Sequence, residues 1–347
     1  MRVAFDAAVV NRVEESPSGD LRTVLEAALG ECRRSGHSLL ICGKQEAVAA
    51  ELRGLSAPED EIVSVLDAPS VISPEEDPVA ACREKADSSV MRACEALAKG
   101  DAQAMVSTSG CGAAVAAGSW HLKRLSGVLR PALSQFIATS KGSCLIVDAG
   151  ANLDAKPWHL LQFALMGSIY LEHACGVQRP SVGLLAPKSE GSETTDLVRE
   201  TSPLLKYAGL NYIGPLDAGA VSQGAADVVV TDGASGDLVV RLHEGLSRTY
   251  FEMLESELDG SLLGRLGTAV SGAAIDRVSR RLSGPADAGA PILGLGGAVV
   301  SCRAPNSAGS VAGSIRTAVA LAESDVRKRI KDRLEDIKSD MEFVRAI

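Results

Sequence analysis

Aromatic residues are scarce in this 347-residue chain, at 3% of the sequence, although 46% of its residues are hydrophobic. A core of ordinary size must therefore be built mainly from Ala, Val and Leu. The eight cysteines form no CxxC pair, which argues against both a zinc site and a disulfide framework. We expect reduced, buried thiols, as is usual in the cytoplasm.

Three further absences each exclude a class of function. The net charge of −9 comes without any basic block, so we expect no nucleic-acid binding. No apolar run reaches the roughly 18 residues of a membrane-spanning helix, and no signal peptide is present, so we expect a soluble, cytoplasmic protein. The first strand is not followed by G-x-G-x-x-G and no Walker A motif occurs, so we expect no nucleotide cofactor and no metal.

Short apolar runs alternate with amphipathic segments along the whole chain. Val3–Phe5, Ala104–Ser107, Leu145–Val147 and Asp227–Thr231 are typical of strands that are buried on both faces. Segments with apolar residues at helical spacing lie between them. The alternation predicts an α/β fold with a mainly parallel sheet and helices on both of its faces.

The densest polar pattern follows the strand at 145–147. Gly150 allows a sharp turn, and Asn152, Asp154 and Lys156 then alternate along five residues before Pro157 begins a helix. Ligands bind at the carboxyl ends of strands in open α/β sheets, and helix N-termini there favour anions. The pattern therefore indicates a ligand site, or alternatively a connecting loop whose polar residues turn the chain and cap the helix.

Two glycine-rich loops also follow predicted strands, at Ser107–Ala113 and Thr231–Asp237. Backbone N–H groups in such turns can cradle an anion. We expect both loops and the central loop to converge on one cleft. Cys111 lies in the first of them and is interpreted as a packed thiol, with a nucleophile as the alternative.

A resemblance to a known family rests on the run from Asp148 to Tyr170. This run resembles the signature of the phosphate acyltransferase (PlsX) family, and the resemblance extends over residues 1–322. Shorter matching segments occur in the family's order: Asp87-Ser-Ser, Arg130-Pro-Ala-Leu, Ser181-Val-Gly-Leu-Leu and Asp227-Val-Val-Val-Thr-Asp-Gly. The resemblance implies conversion of acyl carrier protein (ACP) thioesters and inorganic phosphate to acyl phosphate and free ACP in phospholipid synthesis. It also implies a fold similar to isocitrate and isopropylmalate dehydrogenases, a homodimer, and peripheral association with the cytoplasmic face of the membrane.

The chemistry of this reaction limits what the site must supply. Phosphate is already a nucleophile, so the site needs an anion cradle and donors for the oxyanion of the tetrahedral intermediate. From the resemblance and the loops we predict four catalytic residues: Lys156, Asn152, Asp154 and Asp232. The predicted substrate-binding residues are Lys85, Ser88, Ser89, Gly110, Gly112, Gly150, His159, Gly233 and Gly236.

Several family motifs are rewritten in this chain. The altered segments are Asp6-Ala-Ala-Val-Val-Asn, Ser109-Gly-Cys-Gly-Ala, Ala186-Pro-Lys, Asp232-Gly-Ala-Ser-Gly-Asp with Arg241 beyond it, and Arg303-Ala-Pro-Asn where the family has His-Gly-Ser-Ser. Two alternatives to the ordinary activity therefore stay open. One is a catalytically inactive scaffold or regulator, and the other is an acyltransferase of the same fold with a different acyl substrate.

We predict one α/β domain over residues 1–322 and a charged C-terminal helix or tail over 323–347. A glycine-interrupted helical arm at about 245–283 belongs to the domain. The arm's apolar stripe fits either a second subunit or a lipid surface. Its acidic residues would be repelled by an anionic membrane, which favours dimer packing.

Overall fold

The computed structural model describes residues 1–8, 21–57, 60–188, 195–259, 272–275, 277–279, 281–282, 287–305 and 307–346. The predicted loop up to Asp20 and the middle of the predicted arm, at 260–271, lie outside these residues. The strands are β1 (Arg2–Asp6), β2 (Ser38–Gly43), β3 (Val63–Asp67), β4 (Ala104–Ser107), β5 (Ala132–Thr139), β6 (Gly142–Val147), β7 (Ser181–Leu185), β8 (Asn211–Leu216), β9 (Val228–Val230), β10 (Ala290–Leu293) and β11 (Ala298–Ser301). The helices are α1 (Leu21–Ser35), α2 (Gln45–Gly54), α3 (Pro78–Glu84), α4 (Ser89–Lys99), α5 (Cys111–His121), α6 (Pro157–Ala174), α7 (Asp196–Tyr207), α8 (Ala218–Ser222), α9 (Gly233–Asp259), α10 (Ala308–Glu323) and α11 (Val326–Ala346).

The described strands form one sheet in the order β3-β2-β1-β4-β11-β10-β5-β6-β9-β7-β8. Two parallel groups, β3 to β11 and β6 to β8, are joined by antiparallel pairings through β10 and β5. The first half of β10 pairs with β11 and the second half with β5, so four residues carry the sheet from one group to the other. The predicted mainly parallel α/β class is confirmed.

Buried residues on both faces of the strands explain why the apolar runs are continuous. In β1, Val3 and Phe5 belong to one core cluster, while Ala4 belongs to the cluster on the other face. The same alternation holds in β9, where Val229 faces away from its two neighbours. Small and branched side chains fill both clusters, as the composition predicts.

The structure adds elements that the sequence pattern did not predict. Strand β5 was missed because Ser134 and Gln135 interrupt its apolar residues, although both are buried. The connection after β3 contains the buried residues Ala68 and Ile72, and helix α3 follows it. The charged C-terminal segment forms α11. Its apolar residues Val326, Ile330 and Leu334 are buried in the same core cluster as Val3 and Phe5, so one face of the helix packs against the domain.

None of the helices in the described part of the chain is both long and apolar enough to cross a bilayer.

Candidate active site

A cleft of about 520 Å³ collects loops from both parallel groups of strands. It is lined by the segments that follow β4, β6, β9 and β11, together with residues from 72–78. The three glycine-rich and polar loops at 107–113, 148–157 and 231–237 therefore converge, as predicted. The carboxyl ends of these strands form the natural ligand position of an α/β sheet.

The N-terminus of α5 points its free donors into this cleft. Gly110 is the N-cap residue, with φ +95° and no side chain to accept hydrogen bonds from the first turn. The next three residues, Cys111, Gly112 and Ala113, line the cleft with it. The first N–H groups of a helix have no partner within the helix and carry the positive end of its dipole. An uncapped helix start of this kind favours a bound anion.

Asp6 fixes the loop that leads into α5. Its buried Oδ2 accepts hydrogen bonds from Ser107 Oγ at 2.7 Å and from the Ser109 N–H at 3.1 Å. The backbone of Ser109, a residue of the cleft lining, is thus held, whereas its buried hydroxyl has no hydrogen-bond partner. A buried hydroxyl without a partner is costly. Ser109 Oγ therefore keeps an unused hydrogen-bonding capacity beside the cleft.

Two arginines supply positive charge on the other side of the cleft. Arg303 lies after β11, and its side chain is 12% exposed. Its Nε is 3.4 Å from Glu244 Oε1, and its Nη2 donates a hydrogen bond to Glu244 Oε2 at 3.5 Å. Arg241 is more exposed and pairs with Asp237 at 2.6 Å, which raises the pKa of the guanidinium. Each guanidinium has five N–H donors, so both retain donors beyond these carboxylates.

In the central loop, by contrast, Asp148 and Asn152 form hydrogen bonds with each other and with the neighbouring backbone. The Asp148 carboxylate accepts hydrogen bonds from the backbone N–H groups of Leu133, Ala151 and Asn152 and from the side-chain amide of Asn152, at 2.6–3.0 Å. Burial raises the pKa of Asp148, and these donors offset only part of that effect. The amide of Asn152 also donates to the Pro131 carbonyl at 2.8 Å. The predicted donor role of Asn152 toward substrate stays a prediction, without support from this geometry, because its amide N–H groups are used within the protein.

The remaining polar residues of the central stretch lie outside the cleft lining. Asp154 and Lys156 are exposed, and neither lines the cleft. His159 accepts a hydrogen bond from the Lys156 N–H through Nδ1 at 3.1 Å, which caps the start of α6. Burial, with Arg130 and Lys156 nearby, lowers the pKa of His159. The predicted catalytic roles of Lys156 and Asp154 stay predictions, without support from the cleft geometry.

The glycines predicted to cradle an anion divide into two groups. Gly110, Gly112 and Gly150 line the cleft, and Gly150 has φ +128°, which favours glycine. At the start of α9, the N–H of Gly233 donates to Asn152 O at 2.8 Å and that of Gly236 donates to Asp232 O at 2.9 Å. The predicted cradle at 233–236 stays a prediction, and the N–H groups of these two glycines give it no support because they are bonded within the protein.

The packing at Gly233 and Gly236 is tight enough to require glycine. A Cβ on Gly236 would lie 1.8 Å from the carbonyl oxygen of Asp148, and one on Gly233 would also overlap the backbone at Asn152. Asp232 accepts hydrogen bonds from the N–H and Oγ of Ser235 and thereby caps α9. It is not among the residues that line the cleft.

The predicted substrate-binding residues Lys85, Ser88 and Ser89 do not line the cleft themselves. Lys85 Nζ lies 2.7 Å from Glu76 Oε1 and donates to the Val71 carbonyl, and Glu76 lines the cleft. Ser88 and Ser89 are fully buried at the start of α4 and do not line it. Their hydroxyl groups have no hydrogen-bond partner.

Sequence analysis missed Ser109 and Arg303 as site residues. Both stand in segments that depart from the family motifs, and both directly follow strands. Their position after β4 and β11 was the available signal, since β11 pairs with β4 in parallel and brings the two strand ends together.

Comparison with known proteins identifies the family. The family model described as "Fatty acid synthesis protein" matches residues 16–329. A phosphate acyltransferase from Geobacter sulfurreducens is 35% identical over 348 residues, covering 99% of this chain and 95% of its own. The chain belongs to the phosphate acyltransferase (PlsX) family. A second member, from Elusimicrobium minutum, is also 35% identical, over 89% of this chain and 90% of its own.

Solved structures with the same fold lie further away in sequence. A phosphotransacetylase from Streptococcus pyogenes superposes with a TM-score of 0.62 at 16% identity, covering 93% of this chain and 94% of its own. The EutD phosphotransacetylase from Staphylococcus aureus gives a TM-score of 0.57, also at 16% identity, over 92% and 94% of the two chains. At this identity the likeness shows a shared α/β fold for this PlsX family member.

Proposed function

We propose that this protein is a phosphate acyltransferase that uses acyl-ACP and inorganic phosphate to make acyl phosphate and free ACP. The observation that carries the proposal is the uncapped N-terminus of α5, which shares one cleft with the unpartnered hydroxyl of Ser109 and the guanidinium of Arg303. No histidine lies among the described cleft residues, so the cleft holds no serine–histidine or cysteine–histidine pair. Such a site suits a reaction in which the anion itself attacks.

The cleft residues act by binding and orienting the phosphate. Phosphate sits at the first turn of α5, where backbone N–H groups and Ser109 Oγ donate to its oxygens. A phosphate oxygen then forms a bond to the thioester carbonyl carbon, and the C–S bond breaks to release the ACP thiolate, which takes a proton from water. Arg303 stabilises the negative charge that develops on the carbonyl oxygen in the transition state.

The test is a direct assay of purified protein. Hexadecanoyl-ACP is incubated with and without inorganic phosphate, free ACP thiol is measured, and acyl phosphate is trapped with hydroxylamine. Phosphate-dependent thiol release with trapped product is the expected result. No phosphate-dependent release, with an active relative working alongside, would overturn the proposal and favour the scaffold alternative.

We further propose that a second copy of the chain covers the exposed face of α9. Six large apolar side chains are exposed along this helix: Leu238, Leu242, Leu246, Tyr250, Met253 and Leu254. They repeat at intervals of three and four residues, so they share one side. A cavity of about 320 Å³ continues this surface between α9 and the helical residues Ala274, Ile275, Val278 and Leu282. Exposed apolar surface of this extent marks an interaction site.

The dimer proposal is tested by sedimentation of the wild type and of Leu242→Glu. We expect a dimer that becomes a monomer in the variant, because a charge on this face would be buried without a partner. Monomeric wild-type protein that floats with anionic vesicles would instead support peripheral membrane association, and would overturn the dimer. A cytoplasmic location accompanies either proposal.

A further inference from the structure

A second cleft, of about 460 Å³, lies between α3 and α5. It adjoins the cleft of about 520 Å³ described above, which we call the anion cleft. Its walls are mostly apolar, with Cys82, Val115, Ala116 and Ala151 among the residues that line it. Polar side chains contribute little to the described lining, through Arg83 and Ser119. A cavity of this size and composition is typical of a site for an apolar ligand.

The two clefts share a wall. Pro78, Gly112 and Gly150 line both of them. A Cβ on Gly112 would lie 2.8 Å from Pro78 Cγ, so α3 and the first turn of α5 are in close contact at this seam. The uncapped N–H groups therefore lie directly where the apolar cleft meets the anion cleft.

The outer part of the second cleft exposes large apolar side chains. Val79 is 53% exposed and Trp120 is 55% exposed, on the two helices that form its walls. Trp and Val side chains that face solvent beside an apolar cavity gain contact area when an apolar ligand enters. The described lining is thus apolar except at Arg83 and Ser119.

We propose that the α3–α5 cleft binds the apolar acyl chain of the thioester donor and places its carbonyl carbon at the seam beside the bound phosphate. The inference rests on the proposed acyltransferase function and specifies its donor subsite. A substrate with a hydrocarbon chain on one side of the reacting carbon and an attacking anion on the other matches an apolar cleft that ends at an anion site. The amide-containing arm of ACP fits this lining poorly, because it would need more hydrogen-bond partners.

The kinetic test varies the acyl chain while the carrier stays constant. With butyryl-, octanoyl-, dodecanoyl- and hexadecanoyl-ACP, the kcat/KM of the wild type should rise by about fourfold per methylene until the cleft is full. Ala116→Phe and Ser119→Leu place side chains in the cleft from half-buried positions on α5. We expect both variants to lose at least about tenfold in kcat/KM with the long donors and less than about threefold with butyryl-ACP.

Two kinetic outcomes would overturn the inference. Equal losses at every chain length would place the carrier's arm in the cleft. No loss at any length in correctly folded variants, checked by urea unfolding, would make the cleft irrelevant to the donor. The absence of phosphate-dependent turnover in the wild type would instead be a failure of the proposed function.

A binding measurement separates these two failures. The chain has two tryptophans, so Trp158→Phe leaves Trp120 as the only indole reporter. Titration of this variant with dodecanoate should shift the Trp120 emission to the blue and saturate, and Ala116→Phe should abolish the shift. A saturable shift without turnover would support the acyl-chain site and contradict the proposed acyltransferase activity. Phosphate-dependent turnover without any shift would contradict the acyl-chain site.

Discussion

The loop after β4 and the loop after β6 both follow buried strands, yet they use their polar groups in opposite ways. In the loop after β6, Asp148 and Asn152 satisfy one another and the surrounding backbone. In the loop after β4, the Asp6 carboxylate holds the backbone of Ser109, while the Ser109 hydroxyl and the first turn of α5 remain without partners.

The difference separates polar residues that build a site from polar residues that bind a ligand. A dense polar motif indicates a demanding local structure, because each buried polar group needs a partner. Ligand binding needs groups that the fold positions and leaves unsatisfied. By this criterion the loop after β6 is the support, and the loop after β4 is the binding element.

The comparison is tested most strongly by Asp148→Ala. Removal of the carboxylate leaves the donors of Leu133, Ala151 and Asn152 without an acceptor in a buried loop. Since each orphaned donor costs about 1–3 kcal/mol, we expect the free energy of unfolding to fall by about 4 kcal/mol. Urea unfolding followed by circular dichroism measures it. Asp154→Ala, at an exposed position, is the matched control and should change stability by less than about 0.5 kcal/mol.

Arg303→Ala should give the largest loss of activity from a residue of the cleft. Removal of a transition-state donor typically costs about 100-fold in rate, and we expect a loss of that order in kcat/KM. Steady-state kinetics on acyl-ACP and phosphate measures the change. Arg329→Ala removes an exposed, ion-paired arginine from α11 and serves as the control, with a change below about twofold. An equally small change in Arg303→Ala would remove it from the site.

Ser109→Ala should separate binding from stability. The buried hydroxyl has no partner in the protein, so its removal should not lower the free energy of unfolding and should raise it by about 1 kcal/mol. A lost hydrogen bond to a charged ligand should raise the KM for phosphate about tenfold or more. Thr201→Val is the matched control, since Thr201 Oγ1 is also buried without a partner but lies on α7. An unchanged KM in Ser109→Ala would contradict our assignment of the loop.

Lys156→Ala decides directly between the two loops. The side chain is exposed and does not line the cleft, so we expect kcat/KM to change by less than about threefold. A loss as large as that of Arg303→Ala would place the reaction at the central loop and reverse our comparison.

His159→Gln should have the smallest effect, seen in the pH dependence of stability. The pKa of folded His159 is lowered from 6.5, so the unfolded chain binds the proton more readily. The stability due to the neutral cap is therefore present above pH 6.5 and is lost as the pH falls toward the folded pKa. Glutamine still accepts from the Lys156 N–H but does not titrate. We expect a shallower loss of stability on acidification, by less than about 1 kcal/mol, in parallel urea unfolding series. Identical pH profiles would reject the capping role.

Much of the fold was predictable because local pattern and tertiary environment agree. The bounds of β4 and β7 match the apolar runs in the sequence, since a strand buried on both faces needs apolar residues in succession. The end of α4 at Gly100, which has φ +84°, follows from glycine's freedom in the left-handed region. Strand β5 was not predictable in this way, because Ser134 is satisfied by the distant Pro291 carbonyl.

The sequence by itself determined the α/β class, the position of three loops at strand ends and the family. Those features depend on short-range patterning and on a long continuous motif. Only the tertiary structure decided which polar groups are free. Asn152 finds acceptors within its own loop and at Pro131, whereas Ser109 meets Asp6, which is 103 residues earlier in the chain, and keeps its hydroxyl unpaired. Hydrogen-bond satisfaction depends on contacts between residues far apart in the chain, and a local motif does not contain them.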